Sequence, residues 1–249
     1  LDQQIEDLMP KVIEWRHDIH QYPELGNREF RTSKKIEDHL VSLGIPVETK
    51  IAYTGLVGLI KGGKPGPTIA LRADMDALPV EEKTGLPYAS KVRTTYLGND
   101  VGVMHACGHD AHVAILMGVA EFLAKNKSNL KGKVMFIFQP AEERLPGGAK
   151  QMIKDGVLEN PSVQNIIAQH VLPDLEVGKV GFRPGIYMAS TDEIYISVIG
   201  TGGHAAIPAT YNNPLIASSQ LILSLDEFFS NEKEKLADFY NILKIWISI

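Results

Sequence analysis

Apolar residues recur at helical spacing in four segments of the chain, with charged residues between them. This periodicity places the apolar side chains on one face of a helix and predicts amphipathic helices. The segments with this pattern are 3–22, 30–43, the residues from Asp110 onward, and 213–229. His17 and His20 lie near the end of the first helix. Both could bind a metal in principle, but an interaction with the helix dipole is the simpler expectation for them.

Runs of β-branched and other apolar residues predict strands between these helices. The predicted strands are 47–52, 55–61, 68–73, 133–138 and 165–169. Residues 80–100 are polar, show no periodicity and are expected to form a surface loop. Strands that alternate with helices in this order predict an α/β fold with a mostly parallel sheet flanked by helices.

The character of the chain changes near residue 184. Arg183-Pro184-Gly185 resembles a linker, and residues 193–200 then alternate as a half-buried antiparallel strand would. We therefore expect one domain over residues 1–184 and a second over 185–249.

The composition excludes several classes of protein and partner. The chain has 249 residues, of which 44% are hydrophobic and 22% are charged, as in ordinary globular proteins. Its net charge of −5 gives no electrostatic reason to expect nucleic acid or an anionic membrane as partner. The single cysteine excludes an internal disulfide, and no signal segment or membrane-spanning run is present. We therefore expect a cytoplasmic protein.

The stretch 104–112, Met-His-Ala-Cys-Gly-His-Asp-Ala-His, concentrates four side chains that can bind metal ions. They are His105, Cys107, His109 and His112. Thiolate and imidazole are preferred ligands of zinc and related metals. Core packing with a free thiol is the alternative, but four such residues within nine favour the metal site.

Carboxylates and a histidine follow other predicted strands. Glu142 and Glu143 come directly after the apolar run that ends at 138, and His170 follows the strand at 165–169. Ligands of open α/β sheets bind at the carboxyl ends of the strands. Asp74 and Asp76 follow a third strand, where they could bind metal, orient a ligating histidine, or cap a turn.

These residues together specify a chemistry. Cys107, His109, Glu143 and His170 exceed the three protein ligands of one catalytic zinc, so two metals are expected. Glu142 would be the general base for a metal-activated water. The glycine-rich loop 200–208 carries His204, which could donate a hydrogen bond to the oxyanion, although a simple turn is an equal alternative. The expected reaction is hydrolysis of an amide bond. Zinc and manganese suit the donor set, as do cobalt and nickel to different degrees.

Five ordered blocks within residues 8–225 resemble the metal-dependent amidohydrolase branch of the M20 metallopeptidases. This branch includes aminoacylases, hippurate hydrolases and plant auxin-conjugate hydrolases. The blocks are 16–26, 71–79, 104–112, 138–143 and 200–208.

The resemblance implies a zinc-exopeptidase-like catalytic domain with an inserted α+β lid domain that forms homodimers. It implies two zinc or manganese ions bound by Cys107, His109, Glu143 and His170, with Glu142 as general base. His204 would match the lid histidine that reaches the partner's active site in dimeric relatives. The implied substrates are N-acyl amino acids or small peptides.

The chain departs from the pattern of this family after the lid begins. In this family the chain continues past the lid and returns to the catalytic domain, where it supplies a last metal-binding histidine, whereas no histidine follows His204 here. On this basis we expect residues 185–249 to be a partial, truncated lid, and the chain to bind at most one metal tightly and to hydrolyse slowly. A dipeptidase or carboxypeptidase is the alternative enzyme, and a non-catalytic metal-binding remnant is the alternative outside enzymes.

Overall fold

The computed structural model describes residues 2–185, 190–236 and 241–248. The chain divides into two compact units, Leu1–Asp174 and Leu175–Ile249. In the first unit the elements are α1 (Asp2–Gln21), α2 (Phe30–Ser42), β1 (Val47–Ile51), β2 (Gly55–Lys61), β3 (Lys64–Asp74), β4 (Arg93–Tyr96), β5 (Asn99–Gly102), α3 (His109–Lys125), β6 (Lys131–Gln139), α4 (Gly148–Lys154) and β7 (Asn165–Ala168). The roles predicted for residues 1–184 and 185–249 stay predictions.

The first unit is built on a five-stranded sheet in the order β1-β2-β6-β3-β7. Strand β3 is parallel to both β6 and β7, whereas β1, β2 and β6 pair antiparallel. Short turns at residues 52–54 and 62–63 reverse the chain, which accounts for the antiparallel half. The predicted α/β class is confirmed, but the sheet is mixed rather than mostly parallel, because two of its four strand pairings are antiparallel. The parallel half contains the strands that precede the predicted site residues.

Both faces of the central strand β6 are buried. Phe136 and Phe138 point into a core that α1, α2 and α3 cover, while Met135 and Ile137 point into a second core beneath α4. Successive side chains of a strand face opposite sides of the sheet, so a strand covered on both sides must be apolar throughout. This explains why residues 134–138 of β6 are apolar without interruption.

The segment 80–100, predicted to be a loop, includes part of a β-hairpin. Strands β4 and β5 pair antiparallel around a tight turn at Leu97 and Gly98, whose φ angles are 49° and 82°. Positive φ at both central residues is the geometry of a two-residue hairpin turn. The prediction was wrong here because four-residue strands are too short to show a clear periodicity.

The second unit contains β8 (Ser190–Ser197), α5 (Pro214–Leu236) and β9 (Asn241–Ser248). Strand β8 pairs parallel with β9, so the antiparallel orientation expected from residues 193–200 is wrong. The long connection between the two strands, which includes α5, is sufficient for a parallel crossover. Among the described helices, none is both long and apolar enough to cross a membrane.

Ion pairs join α1 to the first turn of α3. His20 donates from Nδ1 to Asp110 at 2.9 Å and from Nε2 to Glu82 at 3.2 Å, and Arg16 contacts Asp110 at 3.2 Å. The hydrogen bond with Asp110 raises the pKa of the buried His20. His20 therefore has a structural role beyond the predicted dipole interaction, because it anchors the helix that begins at His109.

We expect His20→Gln to lower the melting temperature more at about pH 5.5 than at about pH 9. Because the pKa of His20 is raised in the folded state, the stabilisation is complete below the unfolded-state pKa of about 6.5 and disappears as the pH rises through the folded-state pKa. Thermal unfolding at both pH values measures this. His17→Gln is the control, since His17 stacks on Tyr88. An effect of His20→Gln that does not change with pH would contradict the ion pair.

Candidate metal centre

The candidate site lies where three parallel strands and one helix meet. Strands β3, β6 and β7 end at the same edge of the sheet, and α3 begins beside that edge. Loops that follow strand ends bring residues that are distant in sequence into one place. The acidic, thiol and imidazole side chains at this edge are Asp74, Asp76, Cys107, His109, Glu142, Glu143 and His170.

A thiol and two imidazoles form the first group of potential ligands. Cys107, His109 and His170 each offer one ligand atom, and these atoms lie within 4.8 Å of one another. Cys107 Sγ and His170 Nε2 are 3.4 Å apart. His170 donates from Nδ1 to the carbonyl of Val171 at 2.7 Å, so Nε2 carries the free lone pair that a metal requires.

The second group joins His109 to the two carboxylates that follow β6. His109, Glu142 and Glu143 also offer ligand atoms within 4.8 Å of one another. His109 donates from Nδ1 to the carbonyl of Asp76 at 2.8 Å, which leaves Nε2 with its lone pair 4.0 Å from Glu143 Oε1. Both of these atoms are buried and have no hydrogen-bond partner among the described residues. Buried polar atoms are nearly always satisfied, so this pair is suited to a bound cation.

The electrostatics of the site also favour a cation. Burial alone would lower the pKa of His109, but the contact with Asp76, the neighbouring thiol of Cys107 and the charges of Asp74 and Asp76 raise that pKa to about 11. The surrounding carboxylates therefore stabilise positive charge strongly at this imidazole. A divalent cation satisfies the same field more completely than one proton does.

In a third possible ligand group, Asp74, His109 and His112, the side chains of Asp74 and His112 are already engaged in protein contacts. His112 donates from Nδ1 to Asp74 Oδ1 at 2.6 Å and accepts the amide hydrogen of Val171 on Nε2 at 3.1 Å. Asp74 also pairs with Arg72 at 2.9 Å. Because both ring nitrogens of His112 are engaged, this histidine holds the backbone next to His170 rather than a metal.

Asp76 holds the backbone of the acidic pair. Its two carboxylate oxygens accept the amide hydrogens of Glu142 at 2.9 Å and Glu143 at 3.0 Å. Of the alternatives left open for the two aspartates, the contacts of Asp74 and Asp76 correspond to positioning. The sequence carries no local signal for these contacts, because the partners are far apart along the chain.

Two histidines of the predicted motifs lie outside these groups. His105 is buried, neither of its ring nitrogens has a hydrogen-bond partner in the described part of the chain, and burial lowers its pKa to about 4. It is a neutral core residue. His204 belongs to the second unit, where its Nδ1 accepts the amide hydrogen of Ala206 at 3.1 Å. Its predicted role at the active site stays a prediction.

Comparison with known proteins identifies the family. The model of peptidase family M20/M25/M40 matches residues 70–239, which include the acidic pair and every potential ligand of the first two groups. The chain belongs to this family.

Curated relatives match nearly all of this chain. N-acetyl-L-cysteine deacetylase of Bacillus subtilis is 44% identical over 229 residues, which are 92% of this chain and 52% of the relative. Thermostable carboxypeptidase 1 of Saccharolobus solfataricus is 44% identical over 223 residues, which are 89% of this chain and 54% of the relative. The chain thus spans about half the length of the curated relatives it matches.

A solved M20 structure shares the fold. The YXEP protein of Bacillus subtilis, a dinuclear metal binding peptidase, matches with a TM-score of 0.67 and 44% identity. The match covers 74% of this chain and 49% of that chain. Membership of M20 is consistent with the expectation from the sequence blocks, and the expected α/β catalytic fold is confirmed.

We predict that His112→Ala weakens the affinity for Zn²⁺ roughly 10- to 100-fold, as the loss of a residue that orients a ligand typically does. The substitution frees the Val171 amide and the adjacent His170. Isothermal titration of the metal-free chain measures the affinity. His39→Ala is the matched control, since His39 also contacts a backbone group, the carbonyl of Met117 at 3.1 Å. Equal affinities for wild type and His112→Ala would contradict the positioning role.

Proposed function

We propose that this M20 chain hydrolyses the amide bond of N-acyl amino acids and releases a carboxylic acid and an amino acid. The observation that supports this most directly is the buried, unpartnered pair His109 Nε2 and Glu143 Oε1 beside Cys107, His170 and Glu142. A relative with 44% identity is an N-acetyl-L-cysteine deacetylase. The implied substrate is a small molecule.

Two divalent cations would be held by Cys107, His109, Glu143 and His170. His109 belongs to both groups of ligand atoms, so it lies between the thiol–imidazole side and the carboxylate side. When bound, the ions lower the pKa of a water molecule and polarise the carbonyl of the scissile amide. Zinc or manganese is the proposed metal, and the donor set also suits cobalt and nickel.

Glu142 would move the proton in this reaction. Its carboxylate accepts a proton from the attacking water and then donates it to the leaving nitrogen. Desolvation and the neighbouring Glu143 raise the pKa of Glu142, which brings this carboxyl closer to the range useful for proton transfer. The Glu142 amide is fixed by Asp76, so the position of its backbone does not depend on substrate.

His204 would supply a hydrogen bond to the developing oxyanion. Because its Nδ1 accepts the Ala206 amide, its proton lies on Nε2, where it can be donated. We propose that residues 185–249 are part of a lid domain and that His204 acts in the partner's site of a homodimer. This proposal follows the family resemblance, as does a cytoplasmic location for the protein.

Two other functions are the alternatives to this proposal. The thermostable carboxypeptidase at 44% identity favours cleavage of peptides by the same groups. A chain that binds metal without hydrolysis is the non-catalytic alternative.

We expect the metal-free chain to gain hydrolysis of N-acetyl amino acids when Zn²⁺ or Mn²⁺ is added, and to lose it in chelator. Release of the free amino acid is measured beside a panel of dipeptides, and bound metal is measured in the same samples. Preferential cleavage of dipeptides would support the peptidase alternative. Stoichiometric metal binding without any hydrolysis would support the non-catalytic alternative and contradict the proposed activity.

We expect Glu142→Gln to lower kcat roughly 10²- to 10⁴-fold while metal content and KM change little. The amide retains the shape of the side chain but cannot accept the proton. The matched control is Glu159→Gln, a glutamate outside the two ligand groups. Wild-type kcat in the metal-loaded Glu142→Gln variant would exclude Glu142 as the general base.

A further inference from the structure

Three successive backbone amides after β6 donate to buried carboxylates. Ala141 donates to Glu29 Oε1 at 2.8 Å, and the next two amides, those of Glu142 and Glu143, donate to the oxygens of Asp76. The turn that carries the acidic pair is therefore held by side chains from two other parts of the chain.

Ala141 has a backbone conformation that requires such support. Its φ of +48° lies in the left-handed region, which is unfavourable for a residue with a Cβ atom. Gly26 packs closely here, and a Cβ atom at Gly26 would lie 3.1 Å from Ala141 Cα. The carbonyl of Ala141 accepts the Gly148 amide at 3.0 Å. On the amino side of Ala141, the hydrogen bond from its amide to Glu29 holds the backbone in this strained conformation.

The side chain of Glu29 does not cap α2, the helix that begins directly after it. Glu29 occupies the N-cap position of α2 but makes no capping hydrogen bond there. Glu24 accepts the amide hydrogens of Arg31 at 3.0 Å and Thr32 at 2.8 Å instead. Glu29 is fully buried, and its second oxygen accepts the hydroxyl hydrogen of Thr54 at 2.6 Å.

We propose that Glu29 is a positioning residue for Glu142, which it serves by holding the Ala141 amide and hence the left-handed turn that aims the acidic pair. The catalytic part of this proposal rests on the proposed role of Glu142 as general base. Glu29 belongs to neither of the two ligand groups, so its proposed effect on Glu142 acts through the Ala141 amide. Its Thr54 contact orients the carboxylate so that Oε1 faces the turn.

Two substitutions separate the hydrogen bond from the charge. Glu29→Gln retains an oxygen that can accept the Ala141 amide and a group that can contact the Thr54 hydroxyl. Glu29→Ala removes the acceptor. We expect Glu29→Ala to lower kcat roughly 10- to 100-fold with unchanged KM and metal content, as a misplaced catalytic group does. Glu29→Gln should remain within about threefold of wild type.

Amide hydrogen exchange tests the positioning independently of activity. In the metal-free full chain, exchange at Ala141 and Glu142 should accelerate in Glu29→Ala and remain slow in Glu29→Gln. If the wild-type chain hydrolyses no N-acyl amino acid, the proposed function fails, but this exchange result still decides whether Glu29 holds the turn.

Glu24→Ala is the matched control, because Glu24 also holds two backbone amides. It should lower the melting temperature without changing kcat per mole of folded protein. Slow exchange at Ala141 in Glu29→Ala would overturn the proposal. A loss of kcat in Glu29→Gln as large as that in Glu29→Ala would also overturn it, because the charge rather than the hydrogen bond would then be required.

Discussion

The concentration of negative charge at one edge of the sheet is the constraint on which the site depends. Asp74, Asp76 and Glu143 converge around His109, and desolvating ionised groups is costly unless opposite charge compensates them. The protein supplies part of that compensation through Arg72 and the backbone amides of the acidic pair. At this edge, His109 Nε2 and Glu143 Oε1 have no hydrogen-bond partner among the residues that the structure describes, and they are best placed for a cation.

The potential ligands of the first two groups are held by residues outside those groups. His109 is oriented by the carbonyl of Asp76, and the peptide beside His170 is held by His112. Glu29 and Asp76 hold the turn that carries the acidic pair. Such preorganisation matters because a metal centre tolerates only small errors in ligand position. The same contacts that join the loops at this edge of the sheet therefore also place the potential ligands.

Local sequence order was sufficient to predict the main features of this arrangement. The spacing of Cys107 and His109 and the placement of Glu142 and His170 after apolar strands led to one edge of a sheet. The shared location agrees with the structure because parallel strands end together whatever the length of their connections, whereas the roles of these residues as ligands and general base stay predictions.

The supporting contacts could not be predicted in the same way. Glu29 and Ala141 are 112 residues apart, and Asp76 and Glu142 are 66 apart. Each partner has an ordinary alternative role as a cap or turn residue, so no periodicity distinguishes it. The hairpin around Gly98 was missed because its strands have only four residues each. The parallel pairing of β8 was missed because the alternation of side chains along a strand does not encode the direction of its partner. Contacts of this kind are decided by tertiary structure.

The electronic absorption of the Co²⁺-loaded chain tests the central claim most directly. If Cys107 and the neighbouring imidazoles bind the ion together, wild type should show a thiolate-to-cobalt charge-transfer band with intense tetrahedral-type visible bands. Cys107→Ser should lose the charge-transfer band. Identical spectra for the two proteins at equal cobalt content would contradict the claim that the thiolate and the sheet edge form one metal centre.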